Sequence, residues 1–178
     1  MRKVLVVLVA LAFTVAFCGK SMLHQGFTFA IYETDDGFVS GFFYGFRENF
    51  LNVMYDGRLC FLVVTFDTET YLELCSLIIT FKSAPVPERY RNLTAIVVDK
   101  EKFLLAPTPT FLDNRTIMWN VEGGSRILDA LAKMDYPTLA VYSGNTHLMT
   151  LTTFSMDFWA FLEKYRYYAS YYKKFGGR

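Results

Sequence analysis

Short apolar runs separated by turn residues fill the chain from residue 27 onward. Leu59–Phe66 and Tyr71–Phe81 are rich in β-branched and aromatic side chains, a composition typical of strands. Phe38–Tyr44 and Leu93–Val98 have the same character, and Asp56-Gly57 is a strong signal for a hairpin turn. The pattern predicts a sheet of mainly antiparallel strands.

The last third of the chain changes to a helical period. Ser125 is placed to cap a short helix over Arg126–Met134, and Ser155 is placed to cap a longer helix that reaches Phe175. The sequence therefore predicts a mainly β, α+β fold. The expected architecture is an antiparallel sheet or β-sandwich with one short helix and one longer C-terminal helix.

The longer helix carries an apolar stripe at three- and four-residue steps, and this stripe is expected to dock on the sheet. Tyr168 lies at its margin. The stripe consists of Phe158, Phe161, Leu162, Tyr165, Ala169 and Tyr172.

Two tyrosines of the same helix, Tyr167 and Tyr171, fall on the opposite face near Lys164 and Lys174. One interpretation is ordinary exposure, which tyrosine tolerates. The other is an aromatic and basic contact patch for a protein partner or an anionic membrane surface.

The N-terminus has the form of a secretory signal. Arg2 and Lys3 precede an unbroken apolar run, Val4–Cys18, which is shorter than the roughly 20 residues that span a bilayer. Residues 1–21 are expected to be a signal peptide, and residues 22–178 a single β-rich domain. The cleavage sites that fit are those after Ala16, Cys18 and Ser21.

Export to the periplasm, the cell envelope or the medium follows from that signal. A lipid anchor at Cys18 is disfavoured, because a bacterial lipoprotein signal wants a small residue just before the cysteine and Phe17 stands there.

Composition and charge exclude several classes of protein. The chain has 178 residues, of which 53% are hydrophobic and 20% charged, and this excludes an intrinsically disordered chain. The formal net charge is +1, which gives no reason to expect a nucleic-acid binder. Removal of residues 1–21 would leave 15 basic and 17 acidic residues, a net charge of −2.

Two of the three cysteines, Cys60 and Cys75, lie beyond the signal. If a tight turn at Asp67-Thr68 joined the two strands that carry them, they would face each other, and an exported chain would then form a disulfide. The alternative is a pair of buried thiols that pack as small hydrophobes.

The residues offer no convincing catalytic set, and neither a metal nor a cofactor is expected. The two histidines, His24 and His147, belong to no zinc-ligand pattern, and a serine nucleophile motif is missing. Gly123-Gly124-Ser125-Arg126 precedes a helix and could hold an anion. The alternative is an ordinary loop, because Gly-Gly is common between secondary-structure elements. Asn92-Leu93-Thr94 and Asn114-Arg115-Thr116 are glycosylation sequons that matter only in a eukaryotic source.

The stretch from Leu93 to Tyr165 resembles the invasion-associated locus B family of exported bacterial proteins in the order of its features. The chain departs from the family pattern in two places: no second cysteine pair lies in Asn114–Gly124, and Phe154-Ser155-Met156 lacks a glycine. The features that carry the resemblance are Leu93–Asp99, Leu128-x-x-Leu131, Thr138–Ser143, Gly144-Asn145, Leu148–Thr153 and Phe154-Ser155-Met156-Asp157-Phe158-x-Ala160-Phe161.

That resemblance implies an exported, β-rich, non-enzymatic protein linked to the cell envelope, host contact or invasion. Together with the residues it favours a non-catalytic envelope or surface protein that acts by macromolecular contact. The alternative is a small β-barrel-like carrier whose many aromatic side chains line a cavity for an apolar ligand.

Overall fold

A computed structural model describes residues 21–26, 28–46, 58–81, 84–153 and 155–175. The signal peptide predicted for residues 1–21 therefore lies outside the described residues except for Ser21, and the hairpin turn predicted at Asp56-Gly57 lies wholly outside them. The predicted fold class is confirmed, since the described chain is mainly antiparallel β with a long C-terminal helix.

Most strands of the described chain follow the predicted apolar runs, whereas β1 precedes the first of them and was not predicted. The strands are β1 (Ser21–Gln25), β2 (Phe29–Thr34), β3 (Gly37–Phe46), β4 (Arg58–Asp67), β5 (Glu73–Phe81), β6 (Ala95–Val98), β7 (Glu101–Leu104), β8 (Thr110–Phe111), β9 (Thr116–Val121), β10 (Thr138–Ser143) and β11 (Thr146–Thr152). The helical elements of the described residues are α1 (Arg126–Leu131), α2 (Ser155–Phe175) and a 3-10 turn (Glu88–Tyr90).

The two predicted helix caps differ from the observed ones. Helix α1 ends at Leu131, three residues before the predicted end, and Ser125 precedes it without capping it through the side chain. Ser155 is the first residue of α2, and its hydroxyl donates to the backbone carbonyl of Asp135. The Ser125 hydroxyl donates to the Glu73 carboxylate. Both serine hydroxyls therefore bond to groups outside the helix at whose start they lie.

The strands form two antiparallel sheets that share β3. The larger sheet has the order β1-β2-β3-β4-β5-β9-β8, and the smaller one the order β7-β6-β10-β11. The sheets join where the end of β3 pairs with β11, Phe46 opposite Leu151. On the far side an isolated bridge, Leu105 opposite Val121, brings the chain after β7 next to β9. The larger sheet therefore curves around a shared core.

Helix α2 lies on the inner face of the larger sheet, the face that carries Phe29, Phe38, Phe42 and Phe66. Phe38 stacks on Phe66 with ring centroids 5.1 Å apart. The outer face of β2–β5 also buries apolar side chains, among them Ala30, Val39, Phe61 and Val63. Burial on both faces explains why β4 has a nearly continuous apolar sequence instead of an alternating one.

The predicted disulfide is wrong because the register between β4 and β5 differs from the predicted one. Cys75 lies opposite Val64, and Cys60 lies opposite Ile79. The cysteines share a face but stand four residues apart along the strands, about 13 Å, whereas a disulfide needs Cα atoms within about 7 Å. Both remain buried thiols, and burial raises the pKa of the Cys75 thiol.

The turn chemistry explains the shifted register. The Asp67 carboxylate accepts hydrogen bonds from the backbone N–H groups of Glu69 (2.9 Å) and Thr70 (2.8 Å) and from the Thr70 hydroxyl (2.9 Å). These bonds hold the pKa of Asp67 below its usual range. The Asp67 N–H in turn donates to the Leu72 carbonyl. The turn therefore takes up residues 68–72, not two residues, and moves Cys75 four positions along β4.

Candidate functional site

The buried side of helix α2 is the stripe that the sequence predicts. All six of its residues are buried, and Tyr168 is half-buried at its margin. The Phe161 ring centroid lies 5.7 Å from that of Phe29 and 5.1 Å from that of Phe42. Phe38 is packed in the same way against Tyr165 and Tyr172.

Besides the bond from Ser155 to Asp135, polar bonds at four further points fix α2 to the rest of the fold. The Tyr168 hydroxyl donates to the Leu23 carbonyl at 2.8 Å, and the Tyr172 hydroxyl donates to the Glu33 carboxylate at 3.1 Å. These two bonds tie the helix to β1 and β2. The other two are ion pairs to β5 and α1, Lys173 with Glu73 (3.3 Å) and Arg166 with Asp129 (3.0 Å). The helix is therefore held in one orientation.

The opposite side of α2 carries the predicted contact residues. At 100° per residue, its members fall within an arc of about 100° along the helix. Tyr167 is 61% exposed and Tyr171 is 43% exposed, and Met156 and Phe175 are exposed as well. We name six side chains of this arc the aromatic–basic face, and Ala160 and Asp157 fall in the same arc; the six are Met156, Lys164, Tyr167, Tyr171, Lys174 and Phe175.

The exposed rings of this face are supported by neighbouring rings. Tyr167 stands edge-on to Tyr168 with centroids 5.2 Å apart, and Tyr171 lies 5.2 Å from Phe175. The Lys174 ammonium lies 5.1 Å from the Phe175 centroid. Because each ring rests on another ring, less rotamer freedom remains to be lost when a partner binds.

The charge of the chain is segregated along its length. Residues 164–178 contain five basic residues and no acidic one. Residues 22–163 contain ten basic and 17 acidic residues, hence a net charge of −7. The basic residues at the end of the chain are Lys164, Arg166, Lys173, Lys174 and Arg178. The C-terminal end of the sequence is thus basic, and Lys164, Arg166 and Lys173 of this end form ion pairs with Glu163, Asp129 and Glu73.

The residues predicted as an anion site contact carboxylates of the chain itself. Gly123 and Gly124 have φ angles of +94° and +59°, which glycine adopts without strain. The Ser125 hydroxyl donates to the Glu73 carboxylate, and Arg126 pairs with Glu101 at 3.2 Å. The hydroxyl and the guanidinium are therefore both engaged by acidic side chains.

A polar cleft of about 300 Å³ lies between β5, α1 and α2, and sequence reasoning missed it. Glu73 sits at its centre between Ser125 and Lys173, and Tyr165 forms part of its wall. Burial, and then the negative charge of Glu73, raise the pKa of Tyr165 above its usual range. The nearest signal in the sequence was one acidic residue at the start of an apolar strand, which does not show that a distant serine and lysine converge on it.

The polar groups of this cleft join secondary-structure elements: Glu73 of β5 bonds to Lys173 of α2 and to Ser125 before α1. Its tyrosine stays protonated, its carboxylate already has a cationic partner, and its serine faces a carboxylate and not a histidine. The histidines lie elsewhere: His24 stacks on Phe29, and His147 bonds to the Thr150 hydroxyl at 2.9 Å.

A second concavity bears on the alternative function of an apolar carrier. An open groove of about 540 Å³ lies where the chain after β7 meets β9, and Leu93, Leu104, Leu105 and Trp119 form its apolar part. Leu105 and Trp119 are buried, as are the neighbouring side chains of the inner face. The inner face is thus filled by its own side chains, which favours a contact surface over a ligand-filled barrel.

The described residues offer neither a metal-ligand cluster nor a membrane-spanning helix. Within that part of the chain, no three histidine, cysteine, aspartate or glutamate side chains gather as metal ligands. None of the described helices is long and apolar enough to cross a bilayer.

Comparison with known proteins gave no match. No protein-family model, no curated protein sequence and no solved structure matches the chain. The function is therefore inferred from the residues and the geometry.

Proposed function

We propose that the chain is an exported, non-catalytic envelope or surface protein that acts by contact with another macromolecule through the aromatic–basic face of α2. The observation that carries the proposal is the division of α2 into two sides. One side is buried and bonded to the sheet, and the other exposes Tyr167 and Tyr171 beside Lys164 and Lys174.

The composition of this face suits recognition. Aromatic residues are enriched in the cores of protein interfaces and supply large contact areas at low cost in conformational entropy. A helix already held in place loses little further freedom on binding. Exposed tyrosines on a fixed helix can therefore bind a partner without refolding.

Export is part of the proposal and rests on the N-terminal sequence. The basic pair Arg2-Lys3 and the apolar run Val4–Cys18 favour secretion to the periplasm, the envelope or the medium. The resemblance of Leu93–Tyr165 to the invasion-associated locus B family supports a non-enzymatic role at the envelope or in host contact.

A binding experiment with two matched double variants tests the proposed contact. The first carries Tyr167→Ala and Tyr171→Ala on the aromatic–basic face. The control carries Tyr136→Ala and Phe111→Ala, whose side chains are 75% and 50% exposed and lie in the loop before β10 and on β8.

Binding of each protein to envelope fractions of the source cell is measured by sedimentation. We expect the α2 variant to lose binding and the control to keep it. Equal binding by both variants would refute a contact through this face.

A further inference from the structure

We infer that the partner of the aromatic–basic face is the surface of an anionic lipid membrane. The inference rests on the proposed contact function and names the partner. Its geometric basis is a straight, exposed row of side chains on a helix that runs along the outside of the domain.

The row has the dimensions of an interfacial helix. From Met156 to Phe175 it extends about 28 Å at 1.5 Å per residue. Its exposed side chains are methionine, tyrosine and phenylalanine, and a tyrosine ring can enter the headgroup region while its hydroxyl stays hydrated. Lysines at the edges of such a row can keep their ammonium groups at headgroup level.

The charge distribution favours an anionic surface, with Lys164, Arg166 and Lys173 each in an ion pair with a carboxylate (Glu163, Asp129 and Glu73) at the edge of the helix. Residues 164–178 carry five basic and no acidic side chains, whereas residues 22–163 have a net charge of −7. An anionic bilayer would attract the end of α2 and repel most of the remaining domain. The end of α2 would therefore be attracted to such a bilayer more strongly than the rest of the chain.

A lipid surface fits this row better than an acidic protein does. The six residues form a narrow ridge on one helix, whereas a stable protein interface usually involves some 20–30 residues on each side. A bilayer can deform around a ridge and needs no complementary groove.

The chain contains its own reporter for the experiment. It has two tryptophans: Trp119 is 1% exposed inside the fold, and Trp159 is 44% exposed on α2 beside the aromatic–basic face. Entry of α2 into the headgroup region should shift the emission of Trp159 to shorter wavelength and leave that of Trp119 unchanged.

The test titrates the purified full chain with vesicles made of equal parts of phosphatidylcholine and phosphatidylglycerol, and with vesicles of phosphatidylcholine alone. We expect a blue shift with the anionic vesicles that is reversed at high salt. An equal shift with neutral vesicles would overturn the inference.

Variants are compared with the same N-terminus throughout, because the apolar run Val4–Cys18 could itself enter a bilayer. Lys164→Gln and Lys174→Gln should each weaken binding about fivefold. Tyr167→Ala with Tyr171→Ala should weaken it at least about tenfold. The control pair Tyr136→Ala with Phe111→Ala should bind as the unmodified chain does. Unchanged binding by the lysine and tyrosine variants would overturn the inference.

Binding to poly-L-glutamate tests whether the aromatic–basic face recognises any acidic macromolecule or specifically a membrane. A chain that binds poly-L-glutamate but not the anionic vesicles would overturn the lipid assignment. If envelope binding needs the two tyrosines while pure vesicles do not bind, the contact function stands and the lipid inference fails. If neither envelope binding nor vesicle binding depends on Tyr167 and Tyr171, both the contact function and the lipid inference fail.

Discussion

The hydroxyl of Tyr168 donates a 2.8 Å hydrogen bond to the backbone carbonyl of Leu23, so the last helix is tied to the first strand. Next to this bond, Ser21 pairs with Glu33 in the ladder, and its hydroxyl donates to the Glu33 carboxylate at 2.9 Å. Strand β1 is thus an integral part of the surface that holds α2.

Processing should therefore preserve Ser21. Of the three cleavage sites that fit the signal pattern, those after Ala16 and Cys18 retain all of β1, whereas cleavage after Ser21 removes its first residue. N-terminal sequencing of the exported protein should give a start at Phe17 or Gly19. A start at Met22, or a cytosolic protein that retains Met1, would contradict this prediction.

The aromatic contact between α2 and the sheet should contribute strongly to stability. Phe161 is fully buried between Phe29 and Phe42, so Phe161→Ala should lower the free energy of unfolding by about 3–5 kcal/mol. Met156→Ala, on the exposed side of the same helix, should change it by less than about 0.5 kcal/mol. Urea denaturation measures both, and equal effects would show that the two sides of α2 are assigned wrongly.

Cys60 and Cys75 should react as thiols. Without reductant, the unfolded chain should take up alkylating reagent at both residues, and peptide mapping should identify the two modified sites. In the folded protein alkylation should be slow, because both side chains are buried and the raised pKa of Cys75 keeps it protonated. A native chain with a peptide linking Cys60 to Cys75 would contradict the observed register.

The bond between Tyr172 and Glu33 should make the fold sensitive to alkaline pH. Burial, then the hydrogen bond to Glu33 and its charge, raise the pKa of Tyr172 to about 12. The unfolded chain releases this proton near pH 10. The contribution of Tyr172 to the free energy of unfolding is therefore complete below pH 10 and is lost as the pH rises toward 12. Tyr172→Phe should reduce the loss of stability over that window, as followed by denaturation at each pH. An identical pH profile for the two proteins would exclude this role of Tyr172.

Helix α2 could be predicted from the sequence because its apolar stripe keeps a three- and four-residue period from Phe158 to Tyr172, over 15 of its 21 residues. Such a repeat determines which side is buried before any tertiary contact is known, and the stripe from Phe158 to Tyr172 agrees with the structure at each position. Exposure of Tyr167 and Tyr171 followed from the same period.

The strand register and the polar cleft could not be predicted in this way. Apolar runs identify β4 and β5, but their alignment depends on how many residues the turn takes up. The bonds of Asp67 to Glu69 and Thr70 decide that number. Glu73 likewise meets Ser125 and Lys173 only after β5, α1 and α2 have assembled. The register depends on local side-chain bonds that the apolar pattern does not show, and the cleft depends on contacts between residues far apart in the sequence.

Photo-crosslinking from the aromatic–basic face tests the contact function most directly. A photoreactive phenylalanine analogue replaces Tyr171 in one protein and Tyr136 in a control, and each is expressed in the source cell and irradiated. Both proteins should remain folded, since both positions are exposed. The account predicts covalent products with an envelope component from position 171 and none from position 136. The same products from both positions, or none from position 171 in a folded and exported protein, would contradict it.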